Sequence, residues 1–156
     1  MTSPLRLFLP CAAGVEALLR DEVQSLLPGT APQAQRGGVA LHTDAAGLMT
    51  LNLGSRLAQR VLIEVAGAEY RHEDDLYALA QRVDWTVWIT PQPSLRVDTT
   101  AQRSPLRSLN FAALRIKDAV CDQLREQSGE RPNVDTRAPD LQLMLHLGET
   151  QATLYV

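Results

Sequence analysis

Asn110 stands seven residues before Lys117 in the run LRSLNFAALRIKDAVCDQLREQSGERPNVDTRAPD, residues 106–140. On a helix that spacing sets the two side chains almost in line, two turns apart. An ammonium with a carboxamide above it, near a helix N-terminus, can hold an anion with help from the helix dipole. The competing reading is a structural lysine, its stem laid along apolar neighbours and its head carried past them to solvent. Arg103, Arg107, Arg131 and Arg137 bracket the same stretch and could line one groove with Lys117. Guanidinium forks suit phosphate oxygens. For each arginine taken alone, surface solubilisation is the competing reading.

Other residue types do not assemble into chemistry. Asp74 and Asp75 are adjacent carboxylates, but with Glu73 they fall in the first turn of a predicted helix, where acids complement the dipole. We read them as capping residues. Trp85 and Trp88 read as a core or interdomain wedge rather than a base-stacking platform. Cys11 and Cys121 are too few and too distant for a disulfide framework or a zinc cluster. His42, His72 and His146 add no ligand spacing, so no metal is expected. The sequence has no glycine fingerprint for a cofactor pyrophosphate or a methyl donor, no Walker loop and no nucleophile elbow. No catalytic residues are expected in it.

Periodicity supplies the elements that must carry these residues. Ala112, Ala113, Ile116, Val120 and Leu124 recur at helical spacing; Ser108 is placed to cap that helix, Gly129 to close it and Pro132 to stop it resuming. Arg115, Asp118, Asp122, Arg125 and Glu126 fall on the opposite arc, which predicts a solvated face of mixed-sign pairs. Upstream, the pattern predicts a strand over 5–9, a helix over 15–27, a loop over 30–38 and a strand over 39–41. It then predicts a short helix capped by Asp44, a strand over 61–65 and a helix over 72–83. Residues 95–100 alternate as a strand, and 141–147 with 152–156 form a hairpin that leaves His146 opposite its leucines. The β-α-β-α-β beginning suggests an α/β sandwich with helices against one sheet.

With 156 residues, the chain can bury most of its unfolded surface without staples. A formal charge of −3 argues against a protein that coats nucleic acid by bulk electrostatics, but not against a local basic patch. Residues 103–137 hold seven Lys/Arg against five Asp/Glu, a net of +2, which leaves −5 for the remainder. No apolar run approaches membrane-spanning length, and the N-terminus lacks a secretory pattern. A reduced, cytoplasmic setting is expected, with no membrane partner.

The segment LPCAAGVEALLRDEV resembles the opening of bacterial ribosomal RNA methyltransferases that begin with a ferredoxin-like segment and a THUMP domain. The similarity is stronger over residues 106–147, where the family carries an Ile-x-Asn-Ser-Gln-Phe lead-in, a Lys-Val-Lys-Asp helix and an Arg-Pro-x-Val-Asp loop. Phe111, Arg115, Ile116, Lys117, Asp118, Arg131, Pro132, Val134, Asp135 and Asp140 follow that pattern. Ser108, Leu109 and Asn110 stand where Asn, Ser and Gln are usual.

The resemblance implies an α/β (α+β) fold: a ferredoxin-like subdomain over 1–55 packed with a THUMP domain over 56–156, the strand at 57–68 being shared. It implies the RNA-binding, substrate-recruiting part of an S-adenosylmethionine-dependent methyltransferase making N2-methylguanosine in large-subunit ribosomal RNA. Catalysis and the methyl donor would belong to a domain outside this chain, which is then an N-terminal fragment without a cofactor of its own. Arg103, Arg107, Asn110, Lys117, Arg131 and Arg137 are the expected RNA contacts. Structured RNA is held mainly through phosphates and 2′-hydroxyls, so shape-led binding with little base specificity is expected. A free-standing THUMP adaptor delivering RNA to a separate enzyme and the THUMP region of a tRNA thiolation enzyme are the alternatives.

Overall fold

The structure, a computed structural model, describes residues 3–88, 94–129, 133–134 and 137–156. The chain divides into two compact units, 1–64 and 65–156. In the first, β1 (Leu5–Pro10), α1 (Glu16–Leu26), β2 (Gln33–Gln35), β3 (Gly38–Thr43) and α2 (Ala45–Gly54) lead into β4 (Leu62–Glu69), which crosses the division. Its strands lie in the order β2-β3-β1-β4, with β1 antiparallel to both neighbours. Period-two alternation turns Leu7 and Leu9 of β1 and Val39 and Leu41 of β3 inward, against Leu19 and Val23 of α1 and Leu51 of α2.

Side-chain hydrogen bonds mark both ends of α2. The Asp44 carboxylate accepts from the Gly47 amide at 2.8 Å and starts α2. At its far end, the Glu22 carboxylate of α1 accepts from the Ser55 hydroxyl at 2.5 Å and from the Arg56 amide at 3.1 Å. Burial pushes the Glu22 carboxyl up. The hydrogen bonds from Ser55, Arg56 and Leu57, with the Arg56 charge, outweigh that and hold it below the usual glutamate range. The loop expected over 30–38 contains β2, three exposed residues paired antiparallel to β3.

The second unit adds α3 (Glu73–Gln81), a 3₁₀ turn (Trp85–Val87), β5 (Ser94–Ala101), α4 (Leu109–Ser128), β6 (Asn133–Val134), β7 (Leu141–Leu147) and β8 (Gln151–Tyr155). Its strand order is β4-β8-β7-β5-β6. β5 runs parallel to β7 from Leu95↔Leu141 to Ala101↔Leu147, so α4 is the crossover between parallel neighbours. The short β6, also parallel to β5, interrupts what was expected to be loop. Leu76 and Leu79 of α3, Ile116, Val120 and Leu124 of α4, and Leu143, Leu145 and Leu154 of the sheet form one core. Trp85 is fully buried in it, its indole N–H donating to the Ala80 carbonyl at 2.8 Å, and Trp88 packs partly buried against it. Both tryptophans therefore serve packing.

α3 opens on the acids singled out above. The Asp75 carboxylate accepts from the Arg71 and His72 amides at 2.8 and 3.0 Å, and those bonds hold it below the usual aspartate range. Asp74 instead reaches across to α4. Its carboxylate meets Arg115 at 2.8 Å, and that guanidinium also lies 4.7 Å from the centre of the Tyr77 ring. The Tyr77 hydroxyl donates to Asp122 at 2.8 Å, which raises the phenol above its usual range. The arc of α4 expected to be solvated is thus partly covered: Arg115 and Asp122 bind α3, while the 3.1 Å Arg125–Asp122 pair follows the along-helix pattern.

Candidate nucleic-acid interface

α4 is fixed at both ends by its own sequence. The Ser108 hydroxyl accepts from the Phe111 amide at 3.2 Å, satisfying one free donor of the first turn. Gly129 closes the helix at φ 77°, a left-handed conformation that costs glycine no Cβ clash, and its amide donates to the Arg125 carbonyl at 2.8 Å.

Between α4 and β5 lies an open groove of about 380 Å³. Leu95 and Val97 of β5 and Ala113 and Leu114 of α4 give it apolar walls; Asn110 and Lys117 stand on its helix side, and Arg96 of β5 borders it. Seven residues on a helix rise roughly 10 Å, so the amide and the ammonium stand two turns apart along the groove. Asn110 is exposed and Lys117 half-buried. Lys117 lines the groove beside apolar neighbours, the setting in which a lysine stem packs while its head reaches solvent.

The remaining expected contacts are not all in this groove. Arg103 and Arg107 are exposed on the loop that joins β5 to α4, beside the N-terminus of α4. Arg137 is exposed just before β7. There Asp140 binds Ser94 at the start of β5 at 2.8 Å. Arg103 follows the end of that same strand, whose eight residues span roughly 23 Å. Arg137 therefore sits at the opposite end of β5 from Arg103 and Arg107. Arg131 lies outside the described residues.

Charge pairing separates structural cations from available ones. Arg96 pairs with Asp98 at 2.8 Å, Arg115 with Asp74 and Arg125 with Asp122. Among the described residues, no carboxylate pairs with Arg103, Arg107 or Lys117. Those three, with Asn110, surround the capped N-terminal half of α4. Sequence reasoning passed over Arg96, because the alternation of β5 assigns it to the strand face opposite the core, and groove formation at a sheet border leaves no periodic mark. The described residues contain no cluster of three or more potential metal ligands and no helix long and apolar enough to cross a membrane.

The THUMP domain model matches residues 70–156. This chain belongs to the THUMP family. A second model, the RlmL ferredoxin-like domain, matches residues 6–62. The motifs at residues 9–23 and 106–147 thus led to the matching family, and the fold expected from them is the fold observed. A ribosomal RNA large subunit methyltransferase K/L from Syntrophotalea carbinolica is 38% identical over 155 residues, covering 99% of this chain and 22% of the relative. The THUMP chain therefore spans about a fifth of the length of that relative. Among solved structures, a predicted N6-adenine-specific DNA methylase from Listeria monocytogenes superposes with a TM-score of 0.84 at 23% identity, covering 98% of this chain and 40% of that one. A 4-thiouridine synthetase–RNA complex with bound ATP gives 0.62 at 13% identity, covering 99% and 41%. At such identities the two likenesses establish the fold.

Proposed function

We propose that this THUMP chain is the RNA-recruiting part of a large-subunit ribosomal RNA methyltransferase, with the chemistry performed by a domain outside residues 1–156. The single observation that carries the reading is the trio of unpaired cations, Arg103, Arg107 and Lys117, set around the capped N-terminal half of α4 beside an amide and an apolar groove. Phosphate oxygens and 2′-hydroxyls are the groups such a surface holds. Arg131 and Arg137 would extend the contact past the far end of the helix. The relatives of known name, which are ribosomal RNA methyltransferases, support the substrate class. In this reading residues 1–55 form the ferredoxin-like part and 56–156 the THUMP part, with the strand over 57–68 shared; β4 crosses the division between the two compact units. The protein works in the cytoplasm, where its substrate is made.

S-adenosylmethionine is the methyl donor of the whole protein, and the groove described here does not suit it. A sulfonium cation and a ribose diol call for carboxylates. The groove presents an ammonium and a carboxamide, and its border arginine already holds Asp98. No methyl-transfer step therefore runs through these residues. The test is binding of the chain to a structured large-subunit ribosomal RNA fragment and to tRNA at two salt concentrations, with calorimetry against the methyl donor alongside. The reading expects preference for the ribosomal fragment, weakening at higher salt, and no heat with the donor. Equal absence of binding to both RNAs at low salt removes it.

A further inference from the structure

Tyr70 is buried, 3% exposed, and lies at the start of the THUMP match, far in sequence from the cations it borders. Its hydroxyl is 2.5 Å from the Gly148 carbonyl and 2.7 Å from the Ser104 hydroxyl. A phenol has one proton, and a carbonyl can only accept, so that proton goes to Gly148. The Ser104 hydroxyl must then donate to Tyr70. The Ser104 oxygen in turn accepts from the Leu106 amide at 3.2 Å. Leu106 amide, Ser104, Tyr70 and the Gly148 carbonyl form a head-to-tail relay in which each bond polarises the next.

The relay has a counterpart on the other side of Arg103. The Gln102 amide donates to the Leu147 carbonyl at 2.8 Å, next to Gly148 in the β7–β8 turn. Arg103 stands between these two anchors at φ 57°, and it is the non-glycine residue with positive φ among those described. An arginine keeps that conformation only where its surroundings over-determine it. The anchors supply that constraint. Leu106 packs against the core, and Ser108 caps α4 immediately after Arg107. Both free arginines therefore leave the chain from a backbone nailed to one hairpin turn.

We propose that Tyr70 is a positioning residue, whose hydroxyl holds the Gln102–Ser108 loop so that Arg103 and Arg107 are presented to RNA in one orientation. The proposal rests on the RNA-binding reading above. Tyr70→Phe keeps the buried ring and removes only the hydroxyl. Ser104→Ala breaks the same relay from a part-buried loop position without touching the buried ring. Each variant of the chain should bind a structured large-subunit ribosomal RNA fragment about fivefold more weakly, the size of one hydrogen bond's ordering effect. Each should also speed exchange of the Leu106 amide. In an Arg103→Ala, Arg107→Ala background, Tyr70→Phe should cost no further affinity.

The possible failures are distinguishable. If the double arginine variant binds as tightly as the parent, the RNA reading of the loop falls. If that variant binds weakly while Tyr70→Phe and Ser104→Ala bind as the parent does, the positioning role falls and the RNA reading stands. If Tyr70→Phe costs the same factor with and without the arginines, the hydroxyl acts on stability alone, which also overturns the proposal.

Discussion

Arg115 of α4 meets Asp74 of α3 at 2.8 Å, with the arginine side chain 25% exposed and the aspartate 89% exposed. Lys117, two residues further, meets no carboxylate among those described. One turn of the same helix thus carries a cation committed to holding α3 and a cation left for a ligand. Arg115→Ala should lower stability by about 1 kcal/mol, near 3 °C in Tm, because it loses the ion pair and the contact with the Tyr77 ring together. Its RNA affinity should match the parent. Lys117→Ala should do the reverse. Thermal denaturation and RNA titration of the two variants side by side check this, and equal losses of affinity in both would contradict it.

Thr99 of β5 follows Leu95 and Val97 on the core-facing side of its strand, and its hydroxyl oxygen is buried without a hydrogen-bond partner among the described residues. An unsatisfied buried hydroxyl costs free energy that a methyl group does not. Thr99→Val should raise stability by roughly 1 kcal/mol, measured as a higher urea midpoint at an unchanged m-value. A lower midpoint would mean the hydroxyl is bound.

Glu22 makes the first unit pH-sensitive in a definite direction. Its folded pKa is depressed, so the stability it adds is present above the unfolded value, near 4.3, and is lost as pH falls through the folded value. Glu22→Gln should therefore be less stable than the parent at pH 7, by about 1–2 kcal/mol for bonds to a charged acceptor. The gap should close as pH falls through the folded value. A gap that stays constant or widens in acid would contradict the assignment.

Arg103→Gly separates conformation from charge. Left-handed backbone costs an arginine about 1 kcal/mol, and glycine repays that relief through its looser unfolded state. Stability should stay within roughly 0.5 kcal/mol of the parent by the same balance, while RNA binding weakens because the guanidinium is gone. A large fall in Tm would show the side chain to be structural.

Local signals were legible and tertiary ones were not. Ser108, Gly129 and Asp44 act as caps because a cap needs only its own turn. The hairpin of β7 and β8 follows from leucine alternation around Gly148. β2 escaped because Gln33, Ala34 and Gln35 bury nothing and are a strand only by pairing with β3. β6 escaped because two residues carry no period. The arc holding Arg115 looked solvated because helical geometry alone cannot say that α3 lies against it. The same limit applies to the site. Asn110 and Lys117 sharing a groove was visible as a seven-residue spacing, whereas the separation of Arg137 from Arg103 depends on which end of β5 each loop meets. The role of Tyr70 needed the fold entirely, since 34 positions part it from Ser104 and 78 from Gly148.

The most direct measurement is RNA affinity as a function of salt for the chain carrying Arg107→Glu and Lys117→Glu, with Arg107→Gln and Lys117→Gln as the neutral control. Loss of two phosphate contacts should flatten the log–log salt slope by about 1.5 and weaken low-salt binding at least roughly tenfold. Tm should change little, since neither cation pairs with a carboxylate among the described residues. Parent-like affinity and slope in the charge-reversed chain would contradict the account, because no RNA could then be resting on this end of α4.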